Sequence, residues 1–412
     1  MDLISGKPFW PLRNGLIANY PALDGSVECD VAVLGAGITG ALVAWHLAQT
    51  GMTVVVVDKR DVATGSTSAS TCLLQYEVDT PLHRLVRQVG PDHAVRAYRV
   101  CHAALGTIAR LDRLLGGGHG FRRTESLQGA SRAAHLPGLR REVALRRLHG
   151  FDVEWWSRAR LARASTLPFA GALVARDAAQ IDVHRWTHSL LRAAATRGTR
   201  IYDRTRVTGH SFTRRGVTLR TDRGGRIRAQ HLVVATGYET APYLDDALTT
   251  LLATFALVTE PRADFPGWPG DRLIWETARP YVYLRRTEEG RALIGGFDEP
   301  TCDPDRRTAL LPHKTALLAR RFGQLLPQVP CEVAYAWGAT FAETPDGLPY
   351  IGRHPRIPHT CFALGFGGNG ITFSVIAAEI IRDLICEGRS RDAALFRFDR
   401  PSVGTARSGG RG

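Results

Sequence analysis

Asp30-Val31-Ala32-Val33-Leu34-Gly35-Ala36-Gly37-Ile38-Thr39-Gly40 sets a continuous apolar run directly against a G-x-G-x-x-G loop. The apolar run reads as a buried strand. Ile38 to Thr50, with Leu42, Val43, Trp45, His46 and Leu47 inside it, reads as a helix. Thr53 to Val57 is a second unbroken apolar run, of the kind found in a parallel strand covered on both faces. Together they predict one βαβ unit of about thirty residues. In that setting Gly35 permits the tight turn, Gly37 lets backbone approach a pyrophosphate, and Gly40 lets helix and strand pack closely. Ala36, Ile38 and Thr39 complete the loop and the helix start, whose free N–H groups and positive dipole end favour phosphate. Asp58, eighteen residues after Gly40, closes the second strand where a carboxylate accepts ribose hydroxyls, and Lys59 follows it. This motif specifies a dinucleotide without choosing between NAD and FAD.

With 412 residues, 44% hydrophobic and 22% charged, the chain exceeds what one core accommodates. No apolar stretch is long enough to span a bilayer. The best, Ile371 to Cys386, is interrupted by Glu379, Arg382 and Asp383. Met1 to Leu12 lacks the apolar core of a secretory signal. The seven cysteines are scattered without a C-x-x-C pair, which argues against a disulfide framework and a zinc site and for the cytoplasm. His184 and His188 share a helix at i, i+4 with no third ligand in view, so no metal is expected. The net charge of +14 rests almost wholly on arginine, since Lys7, Lys59 and Lys314 are the only lysines. Arginines this widely spread read as a solvated basic surface rather than a nucleic-acid site.

Along the chain, Met1 to Glu28 reads as an extended arm, with neither helix nor strand supported. Pro91 to Leu115 reads as a helix ended by Gly116-Gly117-Gly118, and Trp186 to Arg197 as another. Val217–Thr221 and Ile227–Ala229 flank a turn and predict a hairpin. His231 to Ala235 reads as a further buried strand, with strands near Tyr281 to Arg285 and Ala292 to Gly295. A closing helix follows from Ile371 to Cys386, and Ser402 to Gly412 is expected to be disordered.

Three further segments choose the cofactor: Gly65-Ser66-Thr67-Ser68-Ala69-Ser70-Thr71, Val234-Ala235-Thr236-Gly237, and Thr344-Pro345-Asp346-Gly347-Leu348-Pro349-Tyr350-Ile351-Gly352 followed by Gly365-Phe366-Gly367-Gly368-Asn369-Gly370-Ile371-Thr372. In this order and spacing the chain, from about Cys29 to Gly388, resembles the D-amino-acid oxidase, glycine oxidase and sarcosine oxidase superfamily of flavoproteins. That resemblance implies FAD. It places Ser66 and Thr67 near the phosphates, with Thr71 and Leu73 beside the ribityl chain and ring. It gives Val207 a backbone contact to adenine and sets Ala235, Thr236 and Gly237 against the adenosine half. Gly367, Gly368, Asn369, Gly370, Ile371 and Thr372 would cover the pyrimidine edge, where the helix dipole favours negative charge. Ala339 stands where some sarcosine oxidases carry the cysteine that bonds flavin. Ser68 or Ala69 stands where other relatives carry a histidine. Non-covalent FAD is therefore expected.

The implied fold is α/β: a discontinuous Rossmann-like FAD domain (residues 1–90, 171–248 and 331–388) and an α+β substrate domain on an antiparallel sheet (91–170 and 249–330), with a tail at 389–412. The implied chemistry is oxidation of the C–N bond of a small amine or amino acid by hydride transfer to flavin. Strand alternation puts Tyr281, Tyr283 and Arg285 on one face, where a guanidinium and two phenols would orient a substrate carboxylate. Phe341 replaces an arginine frequent in glycine-oxidase-like members. No lysine lies between Lys59 and Lys314 to serve oxygen activation as in sarcosine oxidases. The electron acceptor is thus left open between dioxygen and another carrier. Two alternatives remain from the sequence: a flavin-dependent tRNA wobble-uridine modification enzyme, and a non-catalytic flavin-binding protein.

Overall fold

The computed structural model describes residues 2–239, 244, 248–400 and 402. Two large sheets carry the fold. An eight-stranded sheet runs Tyr350–Arg353, Thr360–Leu364, Arg226–Val234, Ser26–Leu34, Val54–Val57, Arg200–Tyr202, with the hairpin Val207–Thr213/Gly216–Thr221 attached to Arg226–Val234. Its central pairings are parallel and those at Tyr350–Arg353 antiparallel. Helices Ile38–Ala48, Val183–Ala195 and Gly370–Cys386 pack together, and their apolar faces form one core with the strands' inner residues such as Val31, Val33 and Val56. Burial on both faces explains the near-continuous apolar strands.

The second, ten-stranded sheet runs Ile4–Gly6, Val333–Glu343, Thr250–Thr259, Ala292–Glu299, Val282–Arg286, Leu273–Glu276, Arg122–Gly129, Gly171–Gln180, Leu73–Gln75, with Val153–Ser157 beside Gly171–Gln180. Apart from the parallel pair of Leu273–Glu276 with Arg122–Gly129, its pairings are antiparallel. Helix Pro304–Leu325 backs it through Leu318 and Phe322.

Several expectations need correction. The N-terminal arm is structured: Ile4–Gly6 pairs antiparallel with Trp337–Ala339, and helix Phe9–Asn14 buries Phe9 and Trp10. Edge pairing, invisible in composition, orders it. The hairpin's second strand and His231–Val234 are one strand, Arg226–Val234, half polar at an exposed end and apolar where buried. Sheet membership cuts across the expected segments. Gly171–Gln180 and Val333–Glu343 run in the ten-stranded sheet, not with the dinucleotide unit. The segment after 389 also packs, with Leu395, Phe396, Phe398 and Arg400 buried. Of the stretch expected to be disordered, only Ser402 lies among the described residues. All seven cysteines are free. No described helix is long and apolar enough to cross a membrane.

Candidate active site

One cavity of about 690 Å³ runs from the glycine loop to the ten-stranded sheet. At its first end stand Gly35, Gly37, Ile38 and Thr39. Gly35 has φ +104, and a Cβ there would strike the Ala235 carbonyl. A Cβ on Gly40 would strike the Gly35 carbonyl, so this glycine serves packing, and it does not line the cavity. Gly37 opens helix Ile38–Ala48 with no side-chain cap, leaving the helix start to an incoming group. Thr67 closes the floor: its Oγ1 accepts the Ile38 N–H at 3.0 Å.

Asp58 lines this end and accepts two backbone N–H groups, from Ala36 at 2.7 Å and Arg60 at 2.9 Å. Ala36 thus acts through its N–H, behind the lining. Burial pushes the Asp58 carboxyl up from the usual range despite those bonds. Lys59, read as a cofactor residue, lines the cavity, and its ammonium pairs with Glu239 at 2.6 Å. Burial opposes the charge on Glu239, yet Arg60 and Lys59 hold its carboxyl down at about 2. Val207, Ala235, Thr236 and Gly237 also line this half. The hydroxyls of Ser66 and Thr236 are buried without a hydrogen-bond partner among the described residues. Two cavity-lining glycines, Gly35 and Gly37, a bare helix start and two unpartnered hydroxyls fit the phosphates and adenosine of a dinucleotide.

Farther along, the loop Gly65–Leu73 is held by two indoles. Trp10 Nε1 donates to the Ser70 carbonyl at 2.6 Å and Trp337 Nε1 to the Ala69 carbonyl at 2.9 Å. Ser66, Thr67, Thr71 and Leu73 face the cavity. Opposite them lie Gly367, Gly368, Asn369, Gly370 and Ile371, where helix Gly370–Cys386 begins. Thr372 lies behind the lining and donates to the Gln75 carbonyl at 3.2 Å. Asn369 Nδ2 donates to the Glu77 carbonyl, so the helix start and the segment Gln75–Asp79 are tied together. Ala339 and Phe341 line the cavity here.

The far end is closed by Tyr281 and Tyr283. Arg285 is not with them. It is 3% exposed, donates to the carbonyls of Cys72 at 2.9 Å and Ile181 at 3.3 Å, and lies over the Trp10 ring. Alternation put it on the expected face, but Trp10 and the Cys72 segment cover it, so it braces the loop rather than meeting a ligand. Sequence reasoning also missed Asp79, Trp275, Arg279 and Asp298 at this end. Asp79 accepts the Gly368 N–H at 2.8 Å. Arg279 is exposed and stacks over Tyr281 with its guanidinium 4.6 Å from the ring centroid. Burial raises the carboxyl of Asp298 to about 6, with Glu343 and Asp79 adding to the rise. Asp79 and Arg279 come from loops, Trp275 from strand Leu273–Glu276 and Asp298 from a strand irregularity, none of which carries a motif. Glu77 reaches the cavity wall but is buried in an ion pair with Arg146 at 3.2 Å.

This arrangement, a pyrophosphate-type cradle continuous with a polar aromatic pocket, defines a flavin-type oxidoreductase site. Residues 30–384 match the DAO family of FAD dependent oxidoreductases, and the chain belongs to that family. It is an FAD-dependent oxidoreductase. A glycine oxidase from Geobacillus kaustophilus (strain HTA426) is 26% identical over 371 residues, spanning 86% of this chain and 92% of that enzyme. A D-amino acid dehydrogenase from Rhizorhabdus wittichii is 26% identical, spanning 89% of this chain and 100% of that enzyme. Among solved structures, an L-proline dehydrogenase from P. horikoshii superimposes with a TM-score of 0.77 at 19% identity, covering 94% of this chain and 99% of that one, a likeness of fold.

Proposed function

We propose that this protein oxidises the C–N bond of a small amine or amino acid, using non-covalently held FAD. The observation that carries the reading is the continuity of the cavity, from the Gly35–Gly37 cradle to the pocket under Tyr281 and Tyr283. When bound, FAD supplies a two-electron acceptor for hydride from the substrate carbon.

The chain's own residues do the rest. Asp58, Thr67 and the start of helix Ile38–Ala48 would hold the dinucleotide. The helix start at Gly370 lines the cavity, and its positive dipole end would favour negative charge on a flavin held there. Tyr281 and Tyr283 wall the substrate pocket and orient polar groups through their phenols, and burial keeps both protonated at neutral pH. Arg279, not Arg285, is the cation available to a substrate carboxylate at the mouth. Non-covalent attachment is supported by Ala339 and Ala69 in the lining, neither of which can form a flavin bond. Cys72 is buried and its thiol is pushed up to about 11, so it stays a neutral, weak nucleophile. The electron acceptor is dioxygen or another carrier. The seven unpaired cysteines support a reducing, cytoplasmic setting.

The test starts with the visible spectrum of the purified protein and acid precipitation. A yellow protein that releases FAD to the supernatant is expected. Anaerobic mixing with glycine, N-methylglycine, D-alanine, L-proline and 1,4-diaminobutane should then bleach the flavin with at least one. Colour retained in the pellet overturns the non-covalent assignment, and a flavin that no amine bleaches overturns the reaction.

A further inference from the structure

A substrate amine reaches the pocket at neutral pH as an ammonium ion, and hydride can leave its carbon only after nitrogen regains a lone pair. Some group has to take that proton. The pocket holds one side chain built for it.

Strand Ala292–Glu299 carries an irregularity. Its register against Thr250–Thr259 shifts between Ala253 and Phe255, and Phe297 has φ +54. A regular strand would put residue 298 on the same side as Ile294, in the core behind the sheet. The extra residue instead sends Phe297 to that core, beside Ile294 and Phe322, and turns Asp298 into the cavity. Next to it, Gly295 leaves room for the Tyr283 ring, since a Cβ there would stand 2.5 Å from the phenol oxygen. The Thr71 and Thr254 hydroxyls lie beside the Tyr283 phenol, and Thr254 also lies beside the Asp298 carboxylate. Hydroxyl side chains therefore line the cavity between the loop at Thr71, expected beside the flavin, and Asp298. The other carboxylates near the pocket are placed differently. Asp79 is capped by the Gly368 N–H, Glu77 is paired with Arg146, and Glu343 is exposed at the rim.

We propose that Asp298 accepts the proton of the substrate ammonium, with Thr254 and Tyr283 as positioning residues that fix its carboxylate. This rests on the amine-oxidation reading above. In the step an N–H bond of R–NH₃⁺ breaks, its electron pair stays on nitrogen, and an O–H bond forms on Asp298. An ion pair becomes two neutral groups and no electron moves. The task also suits the local electrostatics. Asp298 faces Asp79, Glu343, Tyr281 and Tyr283, with Arg279 the cation on the cavity side, while the Lys314 ammonium is held by the Phe297 carbonyl at 2.9 Å and Glu299 at 2.6 Å. Burial and the two carboxylates lift it to about 6, so it is ionised at neutral pH yet basic enough to take a proton.

The experiment is the pH profile of kcat/KM for wild type, Asp298→Asn and Thr254→Val, with whichever amine of the panel bleaches the flavin fastest. The wild type should rise through an acid limb near pH 6 to a plateau. Asp298→Asn should lose roughly 100-fold at pH 7.5 and climb about tenfold per pH unit toward pH 9, because only solvent then deprotonates the ammonium. Thr254→Val keeps the carboxylate and should displace the acid limb without abolishing it. It stands in if Asp298→Asn does not fold. A second readout is binding of 2-aminoisobutyrate, which has no hydrogen on its α-carbon, by calorimetry: affinity should weaken below pH 6 in wild type and stay flat in Asp298→Asn. A variant with the wild-type plateau and acid limb overturns the assignment while leaving amine oxidation intact. A wild type that no amine reduces overturns both.

Discussion

Arg400 grips Asp346 with two hydrogen bonds, Nε to Oδ2 at 2.7 Å and Nη2 to Oδ1 at 2.8 Å, both side chains 1% exposed. The same guanidinium donates to the carbonyls of Leu348 and Pro349, and Ser402 Oγ donates to Asp346 at 2.5 Å. The aspartate of the T-P-D-G segment is thus a clamp for the C-terminal strap, away from the cavity. Arg400→Met should cost about 3–5 kcal/mol, because a buried carboxylate loses its cation. Thermal melting would show the loss, while the FAD content of the folded fraction should be unchanged. Burial raises the Asp346 carboxyl, but Arg400 outweighs it and holds the group below its ordinary range. The stability from this pair is therefore complete above the ordinary carboxylate range and lost as pH falls below it. The gap between wild type and Arg400→Met should narrow in acid.

Gly37 stands at the helix start with the Thr67 hydroxyl 2.9 Å from where a Cβ would be. Gly37→Val would fill the space at the helix start proposed for a phosphate and displace Thr67 from the Ile38 N–H. The variant should purify colourless and take up FAD at least 100-fold more weakly by fluorescence titration. Its far-ultraviolet circular dichroism should match wild type. Normal FAD uptake would argue against this loop as the phosphate cradle.

The dinucleotide end was legible because its demands are local. A turn, a close approach and a helix start each require a residue type at a fixed spacing, and Gly35, Gly37 and Asp58 sit where the sequence put them. The substrate end was not, because its residues are set by sheet partners far along the chain. Tyr281 and Tyr283 followed from alternation. The same rule misassigned Arg285, since which neighbour covers a sheet face is a tertiary fact: here it is Trp10, 275 residues away. Asp298 was hidden because one extra strand residue reverses the face it occupies. The N-terminal strand and the C-terminal strap escaped for a related reason, as each is ordered by a partner, Val333–Glu343 and Asp346, that composition does not disclose.

The contrast between Arg285 and Tyr281 is open to direct test. Arg285 satisfies two buried carbonyls under the Gly65–Leu73 loop, so Arg285→Met should lower the melting temperature and loosen FAD, with KM for the amine changed less than threefold. Tyr281 meets the pocket directly. Tyr281→Phe should leave stability within about 0.5 kcal/mol and lower kcat/KM about tenfold, the loss of one hydrogen bond at about 1.4 kcal/mol. A large KM effect from Arg285→Met would restore the arginine to the substrate.

Beside the segment Gln75–Asp79, Arg146 lies between Glu142 at 2.7 Å and Glu77 at 3.2 Å, all three about 1% exposed, and beneath the rings of Tyr76 and Tyr98. Glu142 also accepts the N–H groups of Leu82 and His83 and bonds the His83 ring at 2.7 Å. Burial opposes its charge, but Arg146 and these donors prevail and hold its carboxyl down at about 2. A depressed carboxylate stabilises the fold above its unfolded pKa, near 4.5, and that contribution disappears as pH falls toward 2. A shift of this size corresponds to about 2–4 kcal/mol. Glu77 moves the other way. Burial raises its carboxyl, so its ionisation opposes stability as pH rises, and Arg146 offsets that cost. Glu142→Gln should therefore be less stable than wild type by urea unfolding at pH 7, and the gap should close between pH 4.5 and 2. Arg146→Met, which strands two buried carboxylates, should be worse than Glu142→Gln at pH 7 and recover most in acid, when both carboxyls are protonated. A gap independent of pH would mean that packing of the Arg146 stem against Tyr76 and Tyr98, not charge, is what the triad contributes.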